Sequence, residues 1–172
     1  VEKTRGYKAK IYDTRKTRPG LRSLEKYAVT VGGGANHRYG LFDGILIKDN
    51  HLKAAGGVRT AVQAARLGAG DIPVEVEVET LTELDEALDI GADIILLDNM
   101  DAATLSEAAG IAAGRAILEA SGGVSLETVR AIAAAGVDRI SVGAITQAAR
   151  PLDLSLEVTE LRSHIPGRDR SS

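Results

Sequence analysis

Apolar residues along this chain follow two alternating periods. Short β-branched runs with a period near two predict strands at 8–13, 45–48, 74–79, 94–98, 116–120 and 139–142. Alanine-rich stretches of helical period lie between them and predict helices over 21–31, 58–67, 82–90, 102–113 and 126–135. Gly68, Gly91, Gly114 and Gly136 stand where helix ends need a left-handed residue, and Ser125 is placed to cap the start of the last helix. The phrases Leu88-Asp-Ile-Gly-Ala-Asp-Ile94 and Ala134-Ala-Gly-Val-Asp-Arg-Ile140 look like one βα unit used twice. Repeated βα units imply a parallel sheet with right-handed crossovers.

An open doubly wound sheet and a closed barrel both satisfy that pattern. The run Val74-Glu-Val-Glu-Val-Glu79 arbitrates, because alternation puts Glu75, Glu77 and Glu79 on one face and the valines on the other. A parallel strand covered by helices on both sides is apolar throughout. One polar face fits the inside of a barrel mouth; the competing account is an edge strand with a solvated face. The fold class expected is therefore α/β, a TIM-like (β/α) barrel.

At 172 residues and 44% hydrophobic, the chain can bury one substantial core, and no cysteine is present to form disulfides or thiolate metal sites. No secretory segment or bilayer-length apolar run is seen, so a cytoplasmic protein with no membrane partner is expected. The chain opens on Val1 and runs quickly into a strand, which points to residues upstream. Charge changes the picture more. Residues 1–53 carry a net +7 and 54–172 a net −10, and nine Lys, Arg or His fall within 13–51. With one Phe and no Trp there is little to stack on bases, so a small polyanion is expected in place of nucleic acid. Acidic groups from the other half suit a metal that bridges carboxylates to phosphate oxygens.

Barrel active sites gather at the carboxyl ends of strands, where Lys48, Glu77, Glu79, Asp98, Glu119 and Gly143 fall. Ser121-Gly-Gly-Val124 and Val142-Gly-Ala144 are glycine turns after the last two strands, of the kind whose backbone N–H groups hold phosphate. Each glycine turn alone is ordinarily only a tight turn. Arg15 or Lys16 alone would be a solvated charge, and His37 alone a loop histidine; their clustering with Arg38 is what makes a site of them.

The motifs Asp13-Thr-Arg-Lys-Thr-Arg-Pro-Gly-Leu-Arg22, Lys26-Tyr-Ala, Gly32-Gly-Gly-Ala-Asn-His-Arg38, Leu46-Ile-Lys-Asp-Asn-His51, Glu75-Val-Glu-Val-Glu79, Ile95-Leu-Leu-Asp-Asn99, Leu118-Glu-Ala-Ser-Gly-Gly-Val124 and Ser141-Val-Gly-Ala144 occur in order. Together, over about 8–158, they resemble the quinolinate phosphoribosyltransferase family, the carboxylating nicotinate-nucleotide pyrophosphorylases. The resemblance implies transfer of phosphoribose from phosphoribosyl pyrophosphate to quinolinate with decarboxylation, in NAD biosynthesis. It implies quinolinate binding by Arg15, Lys16, His37 and Arg38, and phosphoribosyl pyrophosphate binding by Lys48, Glu77, Asp98, Ser121, Gly122, Gly123, Gly143 and Ala144. Lys16, Lys48, Glu77 and Asp98 become the catalytic set, with Mg²⁺ at Glu77 and Asp98. Glu75, Glu79 and Glu119 are expected behind them, and Asn50 and His51 receive no defined role.

The same resemblance makes 1–148 the barrel domain, incomplete in this chain. Residues 149–172 become a strand and tail returning to an N-terminal α/β sandwich domain that has no counterpart here. It also implies a homodimer or higher homo-oligomer with a shared active site. An unfilled barrel gap and an exposed strand edge at 151–158 are then expected, and 168–172 are an incidental tail. Two other readings keep the framework: a molybdenum-associated paralogue, disfavoured by Arg15 and Arg38, and a non-catalytic phosphate-binding barrel fragment.

Overall fold

Among the described residues six parallel strands form one sheet: β1 (Lys10–Tyr12), β2 (Ile45–Ile47), β3 (Val74–Val78), β4 (Ile94–Asp98), β5 (Ile117–Ser121) and β6 (Arg139–Ser141). The computed structural model describes residues 1–159. Strand order is β1-β6-β5-β4-β3-β2, so the first described strand lies beside the last. The helices are α1 (Arg22–Val31), α2 (Asp49–Ala55), α3 (Val58–Ala69), α4 (Leu81–Asp89), α5 (Ala102–Ala112), α6 (Val129–Ala134) and α7 (Ala144–Gln147). No helix among the described residues is long and apolar enough to cross a membrane.

The alternation on β3 resolves as expected for a barrel. Val74, Val76 and Val78 are at most 1% exposed and join the core between sheet and helices, while Glu75 and Glu77 take the other face. Ile95 and Leu97 on β4, Leu118 and Ala120 on β5 and Ile140 on β6 fill the same layer with Val62 and Leu84 from the helices. Each such fully buried aliphatic contributes about 1.5–3 kcal/mol. The inner face carries Leu46, Glu77, Leu96, Asp98, Glu119 and Ser141 around one cavity, so the sheet is curled about it.

Among the described residues the sheet does not close by strand pairing. Between β1 and β2 lies the segment at Ala35, which bridges Tyr12; its amide donates to the Ile11 carbonyl at 2.8 Å and its carbonyl accepts the Asp13 amide at 3.1 Å. Three residues on, the Arg38 guanidinium donates to the carbonyl of Gly44 at 2.9 Å, just before β2. The expected gap is therefore laced by a short crossing segment.

The repeated Gly-x-Asp phrase has a defined task. Asp93, just before β4, accepts the Val74 amide on its carboxylate at 2.9 Å, and its carbonyl accepts the Ile117 amide at 3.1 Å. Asp138, just before β6, does the same with Leu118 at 2.9 Å and Lys10 at 3.0 Å. Each aspartate thus clips the starts of three neighbouring strands together.

Several expectations need correction. Gly91, Gly114 and Gly136 take positive φ after their helices, but Gly68 lies inside α3, and Gly70 ends that helix. The two glycines are two residues apart, and only the second falls where the apolar face runs out. Ser125 caps a turn ahead of α6, accepting the amides of Glu127 and Thr128 at 3.2 and 3.3 Å, and α6 itself begins at Val129. Neither α2 nor α7 is anticipated by periodicity, for both are short and follow a strand with almost no linker. The alternating segment 151–158 is open as expected of a segment without its partners: Leu152, Leu154, Leu156 and Val158 are 72–92% exposed and unpaired among the described residues. The tail at 168–172 lies outside the described residues.

Helix α1 has an inverted polarity. Its one buried side chain is Lys26, whereas Leu24, Tyr27 and Val31, a stripe at helical spacing, are 63–69% exposed.

Candidate active site

The loop after β1 is fastened before it presents a charge. Arg22 on α1 donates to Thr17 Oγ1 at 3.1 Å and to the carbonyls of Arg15 and Tyr39 at 3.3 and 3.2 Å. Thr146, buried on α7, donates to the Lys16 carbonyl at 2.6 Å, and Thr14 Oγ1 accepts the Lys16 amide at 3.0 Å. Arg15 and Lys16 therefore stand at the cavity on a braced loop. Arg15 Nε is buried with no acceptor among the described residues. Beside it, burial and the Arg15 guanidinium together pull the pKa of Arg38 below its ordinary value. Two crowded cations, one with an unanswered donor, make a place for an anion.

His37 stands between two buried carboxylates. Its Nε2 lies 3.0 Å from Glu75 and 3.3 Å from Glu119, and Glu119 also accepts the Ser141 hydroxyl, with the Arg139 guanidinium 3.8 Å away. Burial opposes charge on the ring, but the hydrogen bonds and charge of Glu119 and Glu75 would raise its pKa to about 9. The Arg38 amide, however, donates to His37 Nδ1 at 2.8 Å, and a doubly protonated ring has no lone pair there. The contacts are all satisfied by the neutral ring with its proton on Nε2, and burial raises the pKa of Glu75. The three ligand-type atoms lie within 4.8 Å, close enough to share a cation, but the shared Nε2 proton accounts for the arrangement.

Lys48 directly follows β2 and Glu77 lies on neighbouring β3; Nζ meets Oε2 at 2.7 Å. His51 turns away from the cavity and accepts the Lys48 amide at 2.9 Å, which gives that histidine a structural part in the β2–α2 turn. Asp98 ends β4, and Asn99 holds it through Nδ2–H···Oδ2 at 2.6 Å. Asn99 itself is left-handed, with φ 54°, and donates its amide to the Ser121 carbonyl at 2.9 Å. Gly122 packs directly on it: a Cβ there would come to 3.0 Å from Asn99 Cα and overlap its amide.

The residues expected to bind substrate all line one cavity of about 660 Å³: Arg15, Lys16, His37, Arg38, Lys48, Glu77, Asp98, Ser121, Gly122, Gly123, Gly143 and Ala144. Among the described residues, the amides of Gly122, Gly123 and Ala144 have no protein acceptor, so the two turns present free donors. Gly143 precedes α7, a single turn of helix, whereas the 121–124 turn is separated from α6 by the Ser125 turn. Of the three background glutamates, Glu75 and Glu119 stand under His37, and Glu79 is exposed beyond the strand. Sequence reasoning missed Asn99, Thr146 and Gln147, the last of which also lines the cavity. Asn99 had a signal, an asparagine directly after a strand-end aspartate and suited to positive φ; the other two had none.

Known proteins with this architecture share its sequence. Residues 1–157 match the model of the quinolinate phosphoribosyl transferase C-terminal domain. The nicotinate-nucleotide pyrophosphorylase [carboxylating] of Mycobacterium leprae is 50% identical over 161 residues, covering 92% of this chain and 57% of that one. The crystal structure of NadC from Streptococcus pyogenes superposes with TM-score 0.87 at 44% identity, over 92% of this chain and 56% of that one. The nicotinate-nucleotide pyrophosphorylase from Francisella tularensis gives 0.81 at 49% identity, over 86% and 52%. The chain spans about half the length of the curated relatives it matches. With the family model matching nearly the whole described length and the fold agreeing with solved members, the chain belongs to the quinolinate phosphoribosyltransferase family, of which it carries the C-terminal domain.

Proposed function

We propose that this domain carries the reaction centre of a decarboxylating phosphoribosyltransferase. The enzyme moves phosphoribose from phosphoribosyl pyrophosphate to the ring nitrogen of quinolinate, giving nicotinate mononucleotide, carbon dioxide and pyrophosphate for NAD biosynthesis. The observation that carries the reading is the buried, unanswered Nε of Arg15 beside Arg38, in the same cavity as the free amides of Gly122, Gly123 and Ala144.

A dicarboxylate and a pyrophosphate must be held together before charge moves. Arg15 and Arg38 offer planar forks that meet carboxylates through paired hydrogen bonds, with Lys16 adding a point charge and His37 setting the edge of the pocket. The free turn amides face phosphate oxygens. The ring nitrogen attacks C1 of the ribose as the C1–O bond to pyrophosphate breaks, and the carbon there gains cationic character. Glu77 and Asp98 favour that character electrostatically, while Lys48, paired with Glu77 at 2.7 Å, offers its charge to the departing pyrophosphate. Loss of carbon dioxide leaves an electron pair on C2 of the ring, which takes a proton.

The donor set at Glu77 and Asp98 fits Mg²⁺: two carboxylates on neighbouring strands, both facing the cavity and hard in character. Mg²⁺ held there would supply neutralisation of the pyrophosphate charge. The proposal extends to a cytoplasmic homodimer or higher homo-oligomer with a shared site. The exposed stripe of Leu24, Tyr27 and Val31 on α1, with Leu41 and Phe42 also more than 70% exposed, supports a covering chain.

The test combines the full-length protein carrying this chain with quinolinate, phosphoribosyl pyrophosphate and Mg²⁺ and measures nicotinate mononucleotide, with nicotinate as competing substrate. Product from quinolinate alone supports the reading. No product from a folded protein that binds phosphoribosyl pyrophosphate overturns it. Light scattering of the same sample tests assembly, and a monomer at assay concentration refutes the shared site.

A further inference from the structure

Behind the cavity wall lies an ion pair with no place in the reaction just described. Asp13 is fully buried, Lys26 is 2% exposed, and Nζ meets Oδ1 at 2.6 Å. Such a pair is a poor source of stability, because taking both charges out of water offsets most of their attraction. Its other contacts converge on a single residue. Asp13 Oδ1 also accepts the His37 amide at 2.7 Å, and Lys26 Nζ also donates to the His37 carbonyl at 2.9 Å. The two charges therefore grip the two peptide groups that flank one Cα. Asn36 lies against the same pair, and with its side-chain amide assigned so that the nitrogen faces inward it would donate to Asp13 Oδ2 at 2.8 Å and to the Lys26 carbonyl at 3.0 Å.

The position of this grip matters. Residues 36–38 cross the opening between β1 and β2, where no strand ladder fixes them beyond the single bridge at Ala35. With the His37 backbone held, its ring reaches Glu75 and Glu119, and the following Arg38 reaches Gly44. Asp13 is also the residue from which the Arg15–Lys16 loop departs. One buried pair thus sets the relative placement of two parts of the basic wall.

We propose that Asp13 and Lys26 are positioning residues that aim His37 and Arg38 at the carboxylates of the substrate, and so govern affinity for the dicarboxylate without acting on the phosphate half of the site. The proposal rests on the function given above. Charge-assisted bonds to both peptide groups of one residue are the strong, directional kind, and misplacement by about 1 Å can cost on the order of a hundredfold in rate.

The test uses the full-length protein and compares Lys26→Met with the parent for both substrates. The expected result is a rise of about tenfold or more in KM for quinolinate, with KM for phosphoribosyl pyrophosphate within about twofold. Because Lys26→Met leaves Asp13 buried alone and can unfold the chain, the double variant Asp13→Asn/Lys26→Met, which removes both charges together, carries the same measurement. A lowered melting temperature with both KM values unchanged, or both raised alike, overturns the proposal and leaves the pair a purely structural one. Turnover of quinolinate by the parent reports separately on the proposed function: if it is absent, the functional reading has failed, whereas turnover with no KM split means that only the positioning role has failed.

Discussion

An alanine at position 122 would meet two separate penalties. Gly122 has φ +90°, in the left-handed half of the map, where an L-residue is disfavoured by about 1–2 kcal/mol. Its new Cβ would also stand 3.0 Å from Asn99 Cα and inside the space of the Asn99 amide, so Asn99 must swing away. That releases the 2.6 Å bond to Asp98, a further loss of about 0.5–1.5 kcal/mol. The sum is about 1.5–3.5 kcal/mol in urea unfolding. With Asp98 no longer steered, kcat/KM for phosphoribosyl pyrophosphate should fall about tenfold, the equivalent of about 1.4 kcal/mol. Gly114→Ala is the control, for Gly114 has φ +79°, open space around its Cβ and a place at a helix end outside the cavity. It should lose about 1 kcal/mol of stability and leave kcat/KM within about twofold. Wild-type unfolding and kinetics for Gly122→Ala, or equal kinetic loss in both variants, would refute the coupling of turn to carboxylate.

Four further outcomes are expected. Asp98→Asn should slow turnover and alter the Mg²⁺ requirement, and an unchanged Mg²⁺ titration argues against a metal role for that carboxylate. Arg38→Ala should lower kcat/KM for quinolinate about a hundredfold, as befits the loss of charge-assisted bonds, while binding of phosphoribosyl pyrophosphate, followed by calorimetry, stays near normal; an equal loss for both ligands sinks the assignment. Asp138→Ala leaves the Leu118 amide without its acceptor and should destabilise by about 1–2 kcal/mol, whereas Lys8→Ala, which removes only the exposed partner of Asp138, should stay within about 0.5 kcal/mol; denaturant midpoints that rank them the other way contradict the clip. Ile95→Ala, at a fully buried position, should cost about 2–5 kcal/mol, while Leu67→Ala at a 92% exposed position should be nearly silent, and a thermal melt distinguishes them.

Much of this molecule was legible before its structure because its strands and helices carry clean periods. Val74-Glu-Val-Glu-Val announced both the curled sheet and the polar lumen, and the strand-end charges fell on one cavity because parallel strands all finish at the same rim. What escaped was set by chain crossings that no local pattern encodes. Lys26 in an amphipathic helix reads as solvated, yet it is the residue buried, since Asp13 and the His37 carbonyl meet it from two other segments. His51, quoted within a motif, turned out to brace a turn, because α2 starts immediately after Lys48 and directs the ring back to the strand end. The 151–158 alternation was visible, but alternation specifies a face and not a partner, and no described strand offers one.

The aspartate clips at Asp93 and Asp138 act at the starts of strands, whereas Lys48, Glu77, Asp98 and the glycine turns emerge at their finishes. In a parallel sheet a slip of one residue would turn every inward side chain outward. By anchoring alignment at the end remote from the ligand, the clips let the rim be rewritten, by drift or by an engineer, without scrambling which residues face the lumen. Exchanging rim residues should therefore change what this scaffold binds well before it changes what it is.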